Sequence, residues 1–516
     1  MRIFFQIVVL LLFLLVFIKN VQSADKSNLD ILKSPELTSG YIPITKKDNL
    51  FYLLARSTKK NAPLVIFLNG GPGASSMTGA FVGNGPYLLS QPFSHDIDFE
   101  LVKNPWSWNK IANVVYLDQP RYVGYSYGDG KYITSLPDAG QDFLRWLQLF
   151  YQRYPEFKQR PLYLTGESFA GAYIAEYSHQ ILQYNKNNPK NNIELAGLFI
   201  QAGVIGDDER YGLDSPPIYQ LLFLCTQNLL PQKACDIKQK NNLINKLKSC
   251  VANISDYKHI SPEKVKISDI HALDRISQNC REYLHEMANK LKTQSFTVPD
   301  SSAISKDIRG QVIQEPVDTI EFHEDSQVRQ YLGYSPGPYN MKLACKPSGG
   351  FPPWCYDNYK ITKFFNDADV KSLLGNKLIP PQVQWEFAKY LIPITLIGSK
   401  SPIWPIESYY AEALENDVKI FFVFGKNDWS INYLSGQFIV NKITAKAYHQ
   451  RIFNLLPEPL DSMTKLTTSD HKHAGEIKSF QNVSFVQIDD AGHMIGMDQP
   501  EIIYKLFSSL VSRGLH

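Results

Sequence analysis

The amino-acid sequence predicts an α/β fold, in which a mostly parallel central sheet is flanked by helices and interrupted by an inserted helical cap. Two observations predict it. Short apolar runs alternate with longer segments of helical periodicity in the first part of the chain, which is typical of a parallel sheet. Strand-like runs then return only near the C-terminus, and all 6 cysteines lie in the stretch between.

The chain begins with a segment that predicts export. Met1 and Arg2 precede an almost wholly apolar run over residues 3–18, and small residues end the segment at Ser23. This is the layout of a secretory signal peptide over residues 1–23. The alternative is an uncleaved anchor, but the run is short for a bilayer span, which needs about 20 residues.

Six apolar runs predict strands of the sheet. They cover residues 64–68, 114–117, 162–164, 198–200, 419–424 and 483–488. Helical patterns over residues 141–154 and from 171 to 183 lie on either side of the third run. We therefore expect one core formed by residues 24–205 and 400–516, with residues 206–399 inserted as the cap.

The composition of the chain excludes some classes of partner. Of 516 residues, 53 are Lys or Arg and 50 are Asp or Glu, and the net charge of +3 offers no electrostatic surface for nucleic acid. A hydrophobic share of 44% excludes wholesale disorder. We expect no nucleic-acid partner and no stable membrane insertion.

The cysteines of the cap fit an oxidising compartment. An even number in a secreted chain predicts three disulfides, although fifteen pairings are open. A zinc site is the alternative, but no CxxC pair supports it. Asn253 and Asn482 each begin a glycosylation sequon. The disulfide candidates are Cys225, Cys235, Cys250, Cys280, Cys345 and Cys355.

The strongest local motif is LTGESFAG at residues 164–171. A buried strand ends there, Ser168 follows between small residues, and a helix begins. This is the pattern of the nucleophile elbow of the α/β-hydrolase fold, in which a strained turn exposes the serine hydroxyl above the sheet. An ordinary strand-to-helix turn is the alternative.

A glycine-rich loop, NGGPGASS at residues 69–76, follows the first predicted strand. Glycines at this place let backbone N–H groups approach a ligand, and they predict one half of an oxyanion hole. The expected donors are the N–H groups of Gly71 and Phe169. The spacing does not match a phosphate-binding loop, and a plain Gly-Pro turn is the alternative.

A nucleophilic serine needs a base and a carboxylate that orients it. Asp428 follows the strand predicted at 419–424, and His493 follows the strand at 483–488. Both stand at strand ends and in the order Ser, Asp, His that the fold requires. His471 and His473 could suggest a metal, but they lie in a polar stretch that predicts a solvated loop, so we expect no metal site and no cofactor.

The chain resembles the serine carboxypeptidase family over most of its length. The matching blocks are NGGPG at 69–73, NPWSWN at 104–109, DQP at 118–120, GESFAG at 166–171, and GHM at 492–494 continuing to DQP at 498–500. The resemblance implies an exopeptidase of the lysosomal or vacuolar type that removes C-terminal residues at acidic pH. It also implies a homodimer as a candidate assembly.

The resemblance implies a role for each motif residue. Ser168 would be the nucleophile, His493 the base and then the acid, and Asp428 the group that orients the imidazole. Asn69, Gly70 and Glu167 would bind the free C-terminal carboxylate, with Glu167 partly protonated. Met494 is expected to line the substrate site.

Several positions depart from the family pattern. A second carboxylate-binding glutamate of the family would stand where this chain has Gly83. A family cysteine pair would fall at Ala74 and Ala388, and both are alanine. The triad and the oxyanion loop remain intact, so hydrolysis is expected, while the site for the carboxylate is only partly preserved.

Three functions follow from these residues. The first is a serine carboxypeptidase, secreted or in a lysosome or vacuole, that acts on the C-termini of peptides and proteins. The second is an esterase or acyltransferase that uses the same triad on other acyl groups. The third is a catalytically weak, binding relative, against which the complete set of three triad residues argues.

Overall fold

The computed structural model describes residues 29–94, 98–128, 131–207, 378–389, 404–449 and 463–512. It also describes residue 392 and short segments between 305 and 375, which are 305–306, 312–313, 336–337, 339–344, 356 and 358–375. The predicted signal peptide, the six cysteines and Asn253 lie outside the described residues.

Ten strands form one large sheet, and its centre is parallel, as predicted. The strands are β1 (Leu37–Pro43), β2 (Asn49–Ala55), β3 (Leu64–Leu68), β4 (Asn113–Leu117), β5 (Leu162–Glu167), β6 (Leu195–Gln201), β7 (Lys419–Gly425), β8 (Thr464–Thr467), β9 (His473–Phe480) and β10 (Val483–Ile488). Their order in the sheet is β1-β2-β4-β3-β5-β6-β7-β10-β9-β8. Strands β4, β3, β5, β6, β7 and β10 are parallel. The outer strands pair antiparallel.

Helices precede or follow the strands. They are α1 (Leu136–Arg153), α2 (Ala170–Asn187), α3 (Tyr359–Asn366), α4 (Ala368–Leu374), α5 (Ile406–Glu415), α6 (Tyr433–Tyr448), α7 (Ile495–Asp498) and α8 (Pro500–Ser512). Short helical turns cover Asp30–Lys33, Gly79–Gly83, Trp108–Lys110, Pro155–Phe157 and Pro189–Asn191. Small antiparallel pairs join Tyr87–Leu89 to Leu101–Lys103, Ser305–Lys306 to Val312–Ile313, and Pro336–Gly337 to Asn340–Ala344.

Two hydrophobic cores lie on opposite faces of the sheet. Strand β3 shows how the sequence forms both, because Leu64, Ile66 and Leu68 belong to one core and Val65 and Phe67 to the other. Successive side chains of a strand point to opposite faces. A strand covered on both faces therefore has a continuous apolar run, which is the pattern that predicted it.

Different helices cover the two faces. Trp146 of α1 and Tyr177 of α2 are buried in the first core, and Phe364 of α3 and Phe507 of α8 are buried in the second. Helix α3 lies within residues 206–399, which the sequence assigns to the cap. This part of the predicted cap therefore packs on the sheet. The boundaries of the cap stay a prediction.

Helix α1 begins five residues before its predicted start. The Ser135 side chain accepts a hydrogen bond from the N–H of Asp138 at 3.2 Å and caps the helix, and Pro137 lies in the first turn. A serine cap followed by proline is a standard start signal. The apolar periodicity alone begins later and therefore places the start too late.

Within the described residues, no helix combines the length and the apolar character that a bilayer crossing requires.

Candidate active site

Ser168 stands at the sharp turn between β5 and α2. Its backbone is in the left-handed region, with φ at 63°. The N–H of Ser168 donates to the Gln201 carbonyl at 3.0 Å, and the Ser168 carbonyl accepts from the N–H groups of Gly171 and Val204, each at 3.0 Å. A non-glycine residue is strained in this conformation, and surrounding hydrogen bonds of this kind hold it there. The turn has the conformation of a nucleophile elbow.

The small residues around the serine are required by close packing. A Cβ added to Gly166 would collide with the Leu68 carbonyl oxygen and would lie 2.6 Å from the Ala170 Cβ. A Cβ added to Gly171 would collide with the Val204 carbonyl oxygen. Only glycine allows the strand and the helix to approach so closely.

The glycine-rich loop lies directly against this turn. A Cβ added to Gly70 would lie 2.5 Å from the Phe169 nitrogen and 2.6 Å from the Ser168 Cβ. Gly71 has a φ of 109°, which favours glycine. The N–H groups of Gly71 and Phe169 donate no hydrogen bond to any residue that the structure describes. Two backbone donors are thus available close to the serine.

Asp118 holds the loop in place. Its carboxyl group accepts hydrogen bonds from the Ser75 hydroxyl at 2.6 Å and from the N–H groups of Ser76 and Tyr125 at 2.9 Å each. Burial raises the pKa of Asp118 to about 6, although these hydrogen bonds lower it. The Trp385 indole also donates to the Ser75 hydroxyl, at 2.9 Å. The matching motif DQP points to Asp118, and Trp385 is the tryptophan of the family pattern in which Ala388 replaces a cysteine.

Asp428 and His493 form a buried pair. The Asp428 Oδ2 atom lies 2.7 Å from the His493 Nδ1 atom. Asp428 has no exposed surface and His493 is 4% exposed, so the pair is shielded from water. The second ring nitrogen of His493, Nε2, has no hydrogen-bond partner among the residues described. An imidazole held at one nitrogen and open at the other can accept a proton.

Glu167, the neighbour of Ser168, is close enough to His493 to influence its charge. Burial lowers the pKa of His493, but the Asp428 carboxylate and Glu167 outweigh this effect and the pKa is raised above its usual value. Burial raises the pKa of Glu167 to about 7, against the effects of His493 and of a hydrogen bond from Asn69. Near neutral pH, the protonated and the ionised form of Glu167 are therefore both populated.

A segment of the predicted cap packs on His493. The Tyr339 ring stacks on the imidazole with a centroid distance of 4.1 Å and an interplanar angle of 12°. The Tyr339 carbonyl also accepts the His493 N–H, at 2.6 Å. Asp498 accepts the N–H of Gly492 at 2.7 Å. Sequence reasoning missed Tyr339 because it lies far from His493 in the chain and in no motif.

Two of the four expected substrate-binding residues line one small cavity. Glu167 and Met494 line it, and so does Gly83. Asn69 is buried and its Oδ1 atom has no partner among the residues described. Gly70 lies beside Ser168, as given above. Asn69 makes a hydrogen bond to Glu167 and Gly70 lies against Ser168, so these four residues are neighbours.

The two histidines of the polar stretch lie apart from this site. His471 is exposed in a turn, whereas His473 begins β9, so the loop expected for both holds only for His471. The ligand atoms of His473, Glu476 and Asp489 lie within 4.8 Å of one another. The Lys426 ammonium group contacts Glu476 and Asp489, each at 2.6 Å, and supplies the positive charge there.

Asn482 lies in the turn between β9 and β10. Its side-chain amide donates to the Asp417 carboxylate at 3.4 Å. Glycosylation of this residue stays a prediction.

Comparison with known proteins gives a family match over nearly the whole chain. The family model described as serine carboxypeptidase matches residues 29–513. Carboxypeptidase Y homolog A of Fusarium vanettenii is 26% identical over 491 residues, which cover 94% of this chain and 76% of that protein. A vacuolar serine-type carboxypeptidase of Saccharomyces cerevisiae is 24% identical over 500 residues, with coverages of 95% and 82%.

A solved structure shares the fold. It is a prohormone-processing carboxypeptidase from Saccharomyces cerevisiae, with a TM-score of 0.62 and 20% identity. The match covers 94% of this chain and 92% of that one.

Proposed function

The chain belongs to the serine carboxypeptidase family, and we propose that it releases C-terminal residues from peptides and proteins through an acyl-enzyme formed on Ser168. The observation that carries this proposal is the buried Asp428–His493 pair, in which the Nε2 atom of His493 has no hydrogen-bond partner among the described residues. The strained turn at Ser168 supports it independently.

The first half of the reaction forms the acyl-enzyme. His493 Nε2 accepts the proton of the Ser168 hydroxyl as its Oγ atom attacks the last peptide carbonyl. Asp428 accepts a hydrogen bond from the Nδ1–H group of His493, which fixes the tautomer and stabilises the imidazolium that forms. The N–H groups of Gly71 and Phe169 donate to the oxygen of the tetrahedral intermediate, a contribution commonly worth about 10²–10³ in kcat per donor.

The first half ends when His493 gives its proton to the leaving amino group and the C-terminal amino acid departs, which leaves the acyl-enzyme. In the second half, water attacks the acyl carbonyl and His493 accepts a proton from it. The Ser168 oxygen then takes that proton from His493 and leaves, which releases the shortened peptide. Each half returns the histidine to the neutral form.

Recognition of the free C-terminus is assigned to Asn69, Gly70 and Glu167. A protonated Glu167 can donate a hydrogen bond to the substrate carboxylate, whereas an ionised one repels it. The raised pKa of Glu167 supports binding at acidic to neutral pH. A vacuolar location is named for one relative, and with the predicted signal peptide it supports a vacuolar, lysosomal or secreted location.

The proposal can be tested with matched substrates. The enzyme is incubated from pH 4 to 8 with N-blocked dipeptides that have a free C-terminal carboxylate, with their C-terminal amides, and with N-blocked amino-acid methyl esters. We expect the free-carboxylate dipeptides to be cleaved and the amides to be poor substrates.

The Ser168→Ala variant is the control and should lose activity on every substrate. Hydrolysis of the esters without any cleavage of the free-carboxylate dipeptides would contradict the carboxypeptidase proposal. It would favour the esterase or acyltransferase instead.

A further inference from the structure

A small cavity beside Glu167 contains a polar side chain that no motif predicts. Gln201, the last residue of β6, lines this cavity together with Glu167, Gly83 and Thr78. Gln201 is 1% exposed, so its side chain is enclosed by protein. Glutamine is rarely buried at the end of a sheet strand without a hydrogen-bond partner.

Glu167 and Gln201 are neighbours by register. Strands β5 and β6 are parallel, and Glu167 is directly paired with Gln201 across them. Paired residues of adjacent strands point to the same face and lie about 5 Å apart at their backbones. The Gln201 amide and the Glu167 carboxyl group therefore lie side by side at the C-terminal ends of β6 and β5, directly before Ser168.

The Gln201 amide lacks a partner for its oxygen. Its Oε1 atom is buried and accepts no hydrogen bond from any described residue, and the same is true of the Thr78 hydroxyl in this cavity. A buried polar atom without a partner is costly, and such atoms commonly meet a ligand or water. A cavity with several unpartnered polar groups is thus suited to a polar ligand.

Gly83 has no side chain, and the space that a side chain would fill there is open. A Cβ added there would meet no atom within 4 Å. Gly496 is a neighbour of both Gln201 and Gly83. A Cβ added to Gly496 would lie 3.6 Å from the Gln201 Oε1 atom and 3.9 Å from the Gly83 Cα. The end of the Gln201 side chain thus faces the space that a side chain at position 83 would enter.

We propose that Gln201 is a further substrate-binding residue, whose side-chain amide binds the C-terminal carboxylate of the peptide together with Glu167. Its N–H group donates to the substrate carboxylate, beside the hydrogen bond that the protonated Glu167 donates to the same carboxylate. The amide does not titrate, so Glu167 is the ionisable member of this pair; His493 and Asp498 lie close enough to Glu167 to influence its charge. The inference rests on the proposed function and deepens it.

The test compares Gln201→Leu with the wild-type enzyme on two substrates that share an acyl group. One is an N-blocked dipeptide with a free carboxylate, and the other is the N-blocked amino-acid methyl ester, which lacks that carboxylate. We expect KM for the dipeptide to rise about tenfold, as for a lost hydrogen bond to a charged group. The values of kcat and KM for the ester should stay the same.

Gln201→Glu adds a second readout. A second carboxyl group in the cavity should leave KM for the dipeptide near the wild-type value at pH 5, where the two groups can share protons. It should raise KM steeply above pH 6, because two ionised groups repel the substrate carboxylate. The ester should show no such rise.

Gln487→Leu is the matched control. Gln487 is also a fully buried glutamine of the sheet with an unpartnered side chain, but it does not line the cavity. It should leave the ratio of the two KM values unchanged. An unchanged dipeptide KM in Gln201→Leu, or an equal loss on both substrates, would overturn the inference alone. A wild-type enzyme that cleaves only the ester would overturn the proposed function.

Discussion

At the scale of single residues, the site combines two groups with opposite requirements. In the proposed mechanism, His493 must be neutral to act as a base, and Glu167 must be protonated to bind a carboxylate. The two are coupled, because the charge of Glu167 raises the pKa of His493. When Glu167 takes up a proton, this effect disappears and His493 stays neutral to a lower pH. Protonation of Glu167 thus supports both requirements at once.

This coupling predicts different pH profiles for two substrates. Carboxylate binding needs the protonated form of Glu167, whose pKa is about 7, so KM for a free-carboxylate dipeptide should rise as the pH increases through 7. KM for the methyl ester should not change in this range. Steady-state kinetics from pH 5 to 8 measure both.

Glu167→Gln is the variant that isolates the cause. It removes the titrating group, so the rise in the dipeptide KM should flatten while the ester remains a substrate. Parallel profiles for both substrates in the wild-type enzyme would argue against a role of Glu167 in carboxylate binding.

At the scale of elements, the glycine-rich loop is joined to a segment more than 300 residues away. Ala74 pairs with Ala388 in an isolated antiparallel bridge, which confirms that the two positions expected to replace a cysteine pair are partners. The Ser75 N–H donates to the Phe387 carbonyl at 3.1 Å, and the Lys389 N–H donates to the Gly73 carbonyl at 2.9 Å. The flanking hydrogen bonds make this a non-hydrogen-bonded pair, with Cα atoms about 4.5 Å apart.

That geometry predicts that a disulfide can be introduced. A Cα separation of about 4.5 Å lies within the range of natural disulfides. The Ala74→Cys/Ala388→Cys variant should form the bond on oxidation and should gain about 2–4 kcal/mol of unfolding free energy, because the closed loop is long. Mass spectrometry without reduction and thermal unfolding with and without reductant measure this.

Each single cysteine variant is the control and should depend on reductant only as much as the wild-type protein does. A double variant that stays reduced under oxidising conditions would show that the two segments do not pair as described.

Strands and motifs could be predicted from the sequence, whereas contacts between distant segments could not. The apolar run at residues 64–68 predicted β3 because the strand is buried on both faces. The four antiparallel strands β1, β2, β8 and β9 were missed. Strand β1 has a weak pattern, since only Gly40 and Ile42 of its seven residues are buried, but β2 was missed although six of its seven residues are buried. Tyr339 and Gln201 were missed because their roles depend on tertiary packing and on register. The start of α1 was readable from Ser135 and Pro137.

At the scale of the whole molecule, buried carboxyl groups couple stability to pH. Burial raises the pKa of Asp498 to about 7 and that of Asp118 to about 6, in addition to the effect on Glu167. A carboxyl group with a higher pKa in the folded state binds more protons there than in the unfolded state. Its folded form is therefore favoured at low pH, and stability falls as the pH rises from the unfolded to the folded pKa.

The fold should thus be more stable at pH 5 than at pH 7.5. Each pKa unit is worth about 1.4 kcal/mol for a fully coupled group, so the melting temperature should differ by several degrees. The pKa values of Glu407 and Glu412 are lowered, so these two groups make the fold less stable as the pH falls. This loss occurs only below about pH 4.5, which is close to the usual pKa of a glutamate. Calorimetry at the two pH values measures the difference.

Asp498→Asn should reduce this difference, because it removes one of the titrating groups while keeping a hydrogen-bond acceptor for Gly492. A melting temperature that rises from pH 5 to 7.5 in the wild-type protein would contradict the account of the buried carboxyl groups.

The most direct test of the central claim is covalent labelling of the nucleophile. A fluorophosphonate probe reacts with a serine that a neighbouring base activates, and peptide mapping identifies the labelled residue. We predict one label on Ser168 in the wild-type protein, none in Ser168→Ala, and much slower labelling in His493→Ala. A wild-type protein that takes up no label, or is labelled at a different residue, would contradict a catalytic site built on Ser168, Asp428 and His493.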